Sequence, residues 1–232
     1  LMKEFQGGVL VLTGANSAIG LRSMPVRYIF LDEIDAYKGD VEGEGDPVNL
    51  AIKRTSTFNR RKIFMVSTPT IQSVSRIEYE YEQSDQRHYM VPCPYCNKRQ
   101  LLKWKQIHWE NDDPQTAVYI CEYCGGIIEE HHKTWMLENG IWEKSNPSSK
   151  IAGFHLSSLY SPVGWFSWAD AVKQFLDAKN KDNLLKVWVN SVLGETWLEK
   201  GEAPEWQVLF DKREDYRQEL VPSGGLFLTA GA

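Results

Sequence analysis

Tyr28-Ile29-Phe30-Leu31-Asp32-Glu33-Ile34-Asp35 is the stretch on which the fold turns. An apolar run passes directly into two adjacent carboxylates. Residues 26–31 show no polar alternation, so they read as a strand buried on both faces. Two more segments share that texture, 8–13 (GVLVLT) and 62–67 (KIFMVS). Helix signals lie between and after them. Asn16 and Ser17 can satisfy the free N–H groups of a short helix. Asp46-Pro47 joins a capping acid to a first-turn proline and predicts a helix to about Phe58, and residues 73–84 have helical character. Strand–helix–strand alternation with continuous apolar strands predicts an α/β fold built on a parallel sheet, of which these segments form a part.

In an open parallel sheet, ligands sit beyond the carboxyl ends of the strands. A carboxylate there can hold Mg²⁺ against phosphate oxygens, and a second one can orient or deprotonate a water. Asp32 and Glu33 therefore have the physical form of a Walker B element, with ATP and Mg²⁺ as its ligands. The strand at 62–67 ends in Ser67-Thr68-Pro69-Thr70. The hydroxyls of Ser67 and Thr68 can contact a γ-phosphate or the attacking water, and Pro69 holds Thr68 extended. Either strand end alone is an ordinary exit to a surface loop; the pair reinforce each other. No G-x-x-x-x-G-K-[ST] occurs in the 232 residues. Gly14-Ala15-Asn16-Ser17 lacks the lysine of a phosphate cradle, so the nucleotide reading expects that loop upstream of Leu1.

The net charge is −5, without the basic excess usual in a protein that binds nucleic acid unaided. Lys53, Arg54, Arg60, Arg61 and Lys62 form a local basic group, read equally well as a solvated helix end and loop. No apolar run reaches the ~18 residues of a membrane span, and "LMKEFQGGVL" does not read as a signal peptide. An intracellular location is expected, where four cysteines are metal ligands before they are disulfides.

Cys93-Pro-Tyr-Cys96 and Cys121-Glu-Tyr-Cys124-Gly-Gly are two C-x2-C pairs separated by 24 residues. Each pair can form a knuckle offering two thiolates to one tetrahedral Zn²⁺. Gly125 and Gly126 provide for positive φ. The gap exceeds the usual ~15–20 residues, which a longer hairpin tip absorbs. Four thiolates close the site, so its expected role is structural. His88, His131 and His132 are surface residues first and substitute ligands second; redox-active CxxC pairs are the rival reading. "NPSSK" at 146–150 marks a boundary. Ser167 with Asp170 matches a capping box, and a second helix runs from Asp182 to Gly194. Trp168, Val172, Phe175 and Leu176 are expected to face the core, as are Leu184, Val187, Trp188 and Ser191. The final "GGLFLTAGA" reads as an apolar strand that stops without a cap, as if the chain were cut.

"GANSAIGLRSMPVRYIFLDEIDAY", "RTSTFNRRKIFMVSTPT", "SDQRHYMVPCPYCNKRQ", "CEYCGGIIEE" and "VNSVLGETW" together resemble the lambda-type large terminase subunit of tailed phages and prophages, from about residue 7 to 232. The resemblance implies a DNA-packaging motor with an N-terminal ATPase and a C-terminal nuclease of the RNase H type. It also implies double-stranded DNA as substrate, a small terminase subunit and the capsid portal as partners, and the cytoplasm of the bacterial host as its place. Carried onto this chain, Asp32 is the metal carboxylate and Glu33 the catalytic base. Ser67-Thr68-Pro69-Thr70 resembles the coupling motif, and Cys93, Cys96, Cys121 and Cys124 the zinc-ribbon ligands. The expected divisions are 1–86 (part of the ATPase), 87–145 (zinc ribbon), 146–220 (helical linker) and 221–232 (first nuclease strand). The chain alone is expected to be inactive. Two other classes stay open: a zinc-ribbon adaptor or nucleic-acid-binding module, and a helicase-like ATPase fragment.

Overall fold

The computed structural model describes residues 1–22 and 24–199. The strand expected at 221–232, and the linker residues after Glu199, lie outside the described residues.

β1 (Met2–Phe5) and β2 (Gly8–Val11) form an antiparallel hairpin with Phe5 opposite Gly8. Gln6 and Gly7 make its two-residue turn, and Gly7 has φ 91°, a value that favours glycine. The burial expected for 8–13 is not found. Val9, Leu10, Val11 and Leu12 are exposed, because β2 pairs only with β1 and no layer among the described residues covers the hairpin. An apolar run specifies extended chain but does not name the layer that covers it.

α1 (Ala18–Arg22) starts beneath Ser17, whose Oγ accepts the Gly20 N–H at 3.2 Å. β3 (Tyr28–Asp32) and β4 (Lys62–Val66) pair in parallel, from Tyr28 opposite Lys62 to Asp32 opposite Val66. Between them in the chain lies α2 (Pro47–Lys53), capped by Asp46 Oδ2 accepting the Asn49 N–H at 3.0 Å. This helix stops short of Phe58. The hydroxyls of Thr55 and Ser56 take the carbonyls of Ile52 and Lys53, both at 2.8 Å, and draw the chain out of the helix. One side of the strand pair joins a core of Leu21, Leu31, Ile34, Val48, Leu50 and Ala51, with Ile77 of α3 (Arg76–Glu82) packed against it. Tyr28, Phe30, Phe64 and Val66, on the other side, are exposed. Among the described residues, the expected cover on both faces is therefore present on one.

The second core is larger and includes Trp168 and Trp188, with Trp104 and Trp109 packed against it. β5 (Arg87–Pro92) pairs antiparallel with β6 (Arg99–Gln100) and β10 (Ile141–Lys144), and in parallel with β11 (Phe154–His155). A three-stranded sheet follows the order β7 (Ile107–Glu110), β8 (Asp113–Ile120), β9 (Ile127–Ile128). α4 (Lys133–Glu138), α5 (Trp168–Ala178) and α6 (Asp182–Trp188) complete the unit. The Ser167–Asp170 capping box is present. Trp168 and Val172 are buried, with Phe175 and Leu176 packed beside them, and the Trp168 indole N–H donates to Leu159 O at 3.1 Å. Tyr160 Oη accepts the Leu102 N–H and donates to Tyr89 O, both at 2.8 Å, so its hydroxyl is satisfied in the interior. One core thus runs from Val91 to Leu193.

The stripe expected on α6 is displaced. Leu184 and Val187 are exposed, and Leu185, Trp188, Val189 and Val192 point inward. Apolar residues lie on both candidate faces, and burial of Trp188 selects between them. A π-helical turn, Val189–Leu193, follows, closed by Gly194 at φ 66°.

Asp85 joins three segments. Its carboxylate accepts from Arg87 Nε at 2.9 Å, Lys144 Nζ at 3.2 Å and the Gly153 N–H at 3.0 Å. The Arg87 hydrogen bonds hold it at about 2, below its ordinary 3.8. A depressed carboxyl contributes stability above its unfolded pKa and loses it as pH falls towards the folded one. Asp85→Asn should therefore lower the melting temperature at neutral pH, with the difference from the parent shrinking between about pH 4 and pH 2. Thermal melts across that range read it; a gap that stays constant with pH contradicts the assignment.

Candidate functional site

Two parallel neighbours end on the same edge. Asp32 closes β3 with Glu33 next in the chain; Val66 closes β4 with Ser67 next. The Ser67 hydroxyl donates to Glu33 Oε2 at 3.4 Å and to Thr68 O at 3.1 Å. Asp32, Glu33 and Thr68 are exposed. Among the described residues no lysine, arginine or histidine pairs with Asp32 or Glu33. Their negative charge is thus available to a cation from solution. Burial and the Asp32 carboxylate push the Tyr37 phenol above its usual range, so a neutral hydroxyl stands near that acid.

Glu33 is left-handed, φ 54° and ψ 50°, a conformation costing a residue with a Cβ about 1–2 kcal/mol. The fold sustains it by burying Ile34 completely. The sharp turn sends the next side chain into the core and leaves the Glu33 carboxylate on the rim.

Asp35 is the residue that sequence reasoning missed. Its backbone N–H donates to Ser67 Oγ at 3.1 Å. Its carboxylate accepts the Thr70 hydroxyl at 2.9 Å and the Ile77 N–H at 2.7 Å. One side chain therefore ties the acidic turn to the chain leaving β4 and to the start of α3. The available signal was a third acid two residues beyond the pair, on a turn that must fold back over the strand ends.

The cysteines form a second site. All four sulfurs lie within 4.8 Å of one another. Cys93–Cys124 and Cys96–Cys121 are each 3.8 Å apart, and both pairs join opposite knuckles. A disulfide requires about 2.05 Å. Zn–S bonds of about 2.3 Å in a tetrahedron place sulfurs about 3.8 Å apart, so the cluster fits such an ion. The knuckles repeat one design. Cys93 N–H bonds Lys98 O at 3.0 Å and Asn97 N–H returns to Cys93 O at 2.9 Å. Cys121 N–H bonds Gly126 O and Gly125 N–H returns to Cys121 O, both at 3.0 Å. The left-handed position is Asn97 (φ 59°) in the first and Gly125 (φ 68°) in the second. Gly126 does not take positive φ; it is needed for space, since a Cβ there would lie 2.8 Å from the Tyr95 ring. Burial pushes the Cys93 thiol up to about 12. Burial also raises Cys121, but the backbone N–H groups of Cys124 and Tyr123 outweigh it and bring that thiol down to about 7.

The histidines stand outside this set. His131 is exposed, His132 stacks edge-on to Tyr95, and His88 packs with Tyr81 and His155. In the basic group, Arg54 donates to Arg22 O at 2.9 Å, while Lys53, Arg60, Arg61 and Lys62 face solvent.

A family model described as the ATPase domain of the phage terminase large subunit gpA matches residues 1–142, and one described as the endonuclease domain of the same subunit matches 151–232. The chain is 33% identical to the terminase large subunit of Enterobacteria phage P21, covering 99% of this chain and 39% of that protein. It is 30% identical to the terminase large subunit of Escherichia phage lambda, covering 99% of this chain and 40% of that protein. It therefore spans about two fifths of the length of these relatives. No solved structure matches.

Proposed function

Because the chain belongs to the phage terminase large-subunit gpA family, we propose that it carries the water-activating half of an ATP site and a structural zinc staple in a viral DNA-packaging protein. In this reading residues 1–86 are part of the ATPase, 87–145 a zinc ribbon, 146–220 a helical linker and 221–232 the start of the nuclease. Asp32 would hold Mg²⁺, whose charge neutralises phosphate oxygens when it is bound with ATP. Glu33 orients the attacking water and takes its proton. Ser67 and Thr68 form the wall that senses the γ-phosphate. Cys93, Cys96, Cys121 and Cys124 would hold Zn²⁺ in a closed set that leaves no position for catalysis. The substrate is double-stranded DNA, the partners are the small terminase subunit and the capsid portal, and the place of action is the bacterial cytoplasm. No helix among the described residues is long and apolar enough to cross a membrane.

The observation that carries the proposal is the shared edge of β3 and β4, with Ser67 Oγ 3.4 Å from the Glu33 carboxylate. An adaptor in which the acids were only a surface turn would have no need of a strained Glu33 beside a strand-end hydroxyl.

The 232 residues contain no G-x-x-x-x-G-K-[ST], so the phosphates have no cradle within them. Purified chain should release no phosphate from ATP above background. Release that disappears in Glu33→Ala would overturn this assignment of the missing half.

A further inference from the structure

Thr70 is held from two directions. Its hydroxyl donates to Asp35 at 2.9 Å, which places it under the acidic turn. Its carbonyl oxygen accepts from Asn190 Nδ2 at 2.7 Å and from the Trp197 N–H at 2.8 Å. The attachment continues along the chain. Gln72 N–H donates to Trp197 O at 3.0 Å, Ile71 and Trp197 form a parallel bridge, and the Thr196 hydroxyl donates to Glu78 at 2.6 Å.

These contacts cross the division between the two family matches. Residues 67–78 fall in the part matching the ATPase model, and residues 190–197 in the part matching the endonuclease model. Both N–H donors of the Asn190 amide are engaged, because Nδ2 also donates to Glu195 O at 2.9 Å. This residue sits in the π-helical turn Val189–Leu193, a geometry found mostly as local insertions and frequently at functional sites.

We propose that Thr70 is a clamp through which the acidic rim and residues 190–197 sense each other's position. Asp35 sets the clamp from the rim and Asn190 from the opposite side. The inference rests on the ATP reading of the rim and extends it to a route towards the nuclease-matching part. A shift of the rim on hydrolysis displaces Ser67 and Asp35 together, and Thr70 carries that displacement to Asn190 and Trp197, each through one hydrogen bond to its carbonyl. Neither Asp35 nor Asn190 is a catalytic residue; both act by positioning.

Two measurements test it. In the full-length protein, Asn190→Asp keeps the side-chain shape and removes both donors. ATP hydrolysis should stay within about twofold of the parent while DNA moved per ATP falls about fivefold or more. Unchanged DNA per ATP, or hydrolysis and movement falling in equal proportion, would overturn the clamp. The second measurement needs no nucleotide. In Asp35→Asn, hydrogen exchange at the Trp197 amide, which Asp35 does not touch, should quicken about fivefold or more, along with that at Ile77. Quickening at Ile77 alone would reduce Asp35 to a local brace and refute the proposal. Failure of the ATP reading has its own signature: hydrolysis that survives Glu33→Gln, whatever the exchange experiment gives.

Discussion

Glu33→Gln should lower the ATP turnover of the full-length protein by about 10²–10⁴-fold, the usual contribution of a positioned general base. Glutamine matches the shape of glutamate and can still accept from Ser67, but it cannot take a proton from water. The left-handed backbone at Glu33 is equally strained for both residues, so folding stability should hardly move. The Michaelis constant for ATP should stay within a few-fold, because the substitution leaves the Asp32 carboxylate in place. Steady-state phosphate release with melting curves for both proteins separates loss of chemistry from loss of structure. A variant that keeps more than about a tenth of the parent rate would show that another group activates the water.

Loss of metal should have the largest effect on stability. Zinc held by the four thiolates would join two knuckles that otherwise meet through the 3.8 Å sulfur pairs, the Tyr95 ring against Gly126 and the Lys98–Tyr123 cation–π contact. Structural zinc contributes roughly 10–16 kcal/mol of apparent binding energy at neutral pH in small domains, much of it expressed as folding. Cys93 and Cys121 are also members of the large core, so the damage should reach Val91, Tyr119 and Ile128. Chelation or Cys96→Ser should quicken hydrogen exchange throughout residues 88–145. The strand pair β3–β4 should be less affected, because Leu31, Ile34 and Val48 form a separate core. Fresh, reduced protein should contain one zinc per chain; a content far below one, with the knuckles still protected, contradicts the metal assignment.

The parallel pairing of β3 and β4 could be read from the sequence because apolar runs separated by a capped helix leave few other arrangements. The cysteine cluster was equally legible, since its spacing dictates the knuckles. Other features depended on partners that a local pattern does not name. The run at 8–13 looked internal and is an exposed hairpin strand. Leu184 and Val187 looked buried, but apolar residues on both sides of α6 made the stripe ambiguous until Trp188 fixed its rotation. Asn97 gave no hint of its left-handed turn, whereas Gly125 in the matching position did. Asp35 was hidden for a different reason: its role depends on Thr70 and Ile77, which lie far along the chain. The bond between Thr70 and Asn190 spans 120 positions and has no local signature.

Every functional role proposed for the rim requires metal-bound triphosphate at the ends of β3 and β4. Iron-directed cleavage locates that ion, with Fe²⁺ replacing Mg²⁺ in the full-length protein and ascorbate and peroxide generating radicals at the metal. ATP-dependent cuts should cluster at residues 31–34 and 66–69. Cuts elsewhere in the chain, or cuts at these positions that do not depend on ATP, would place the nucleotide somewhere other than this rim.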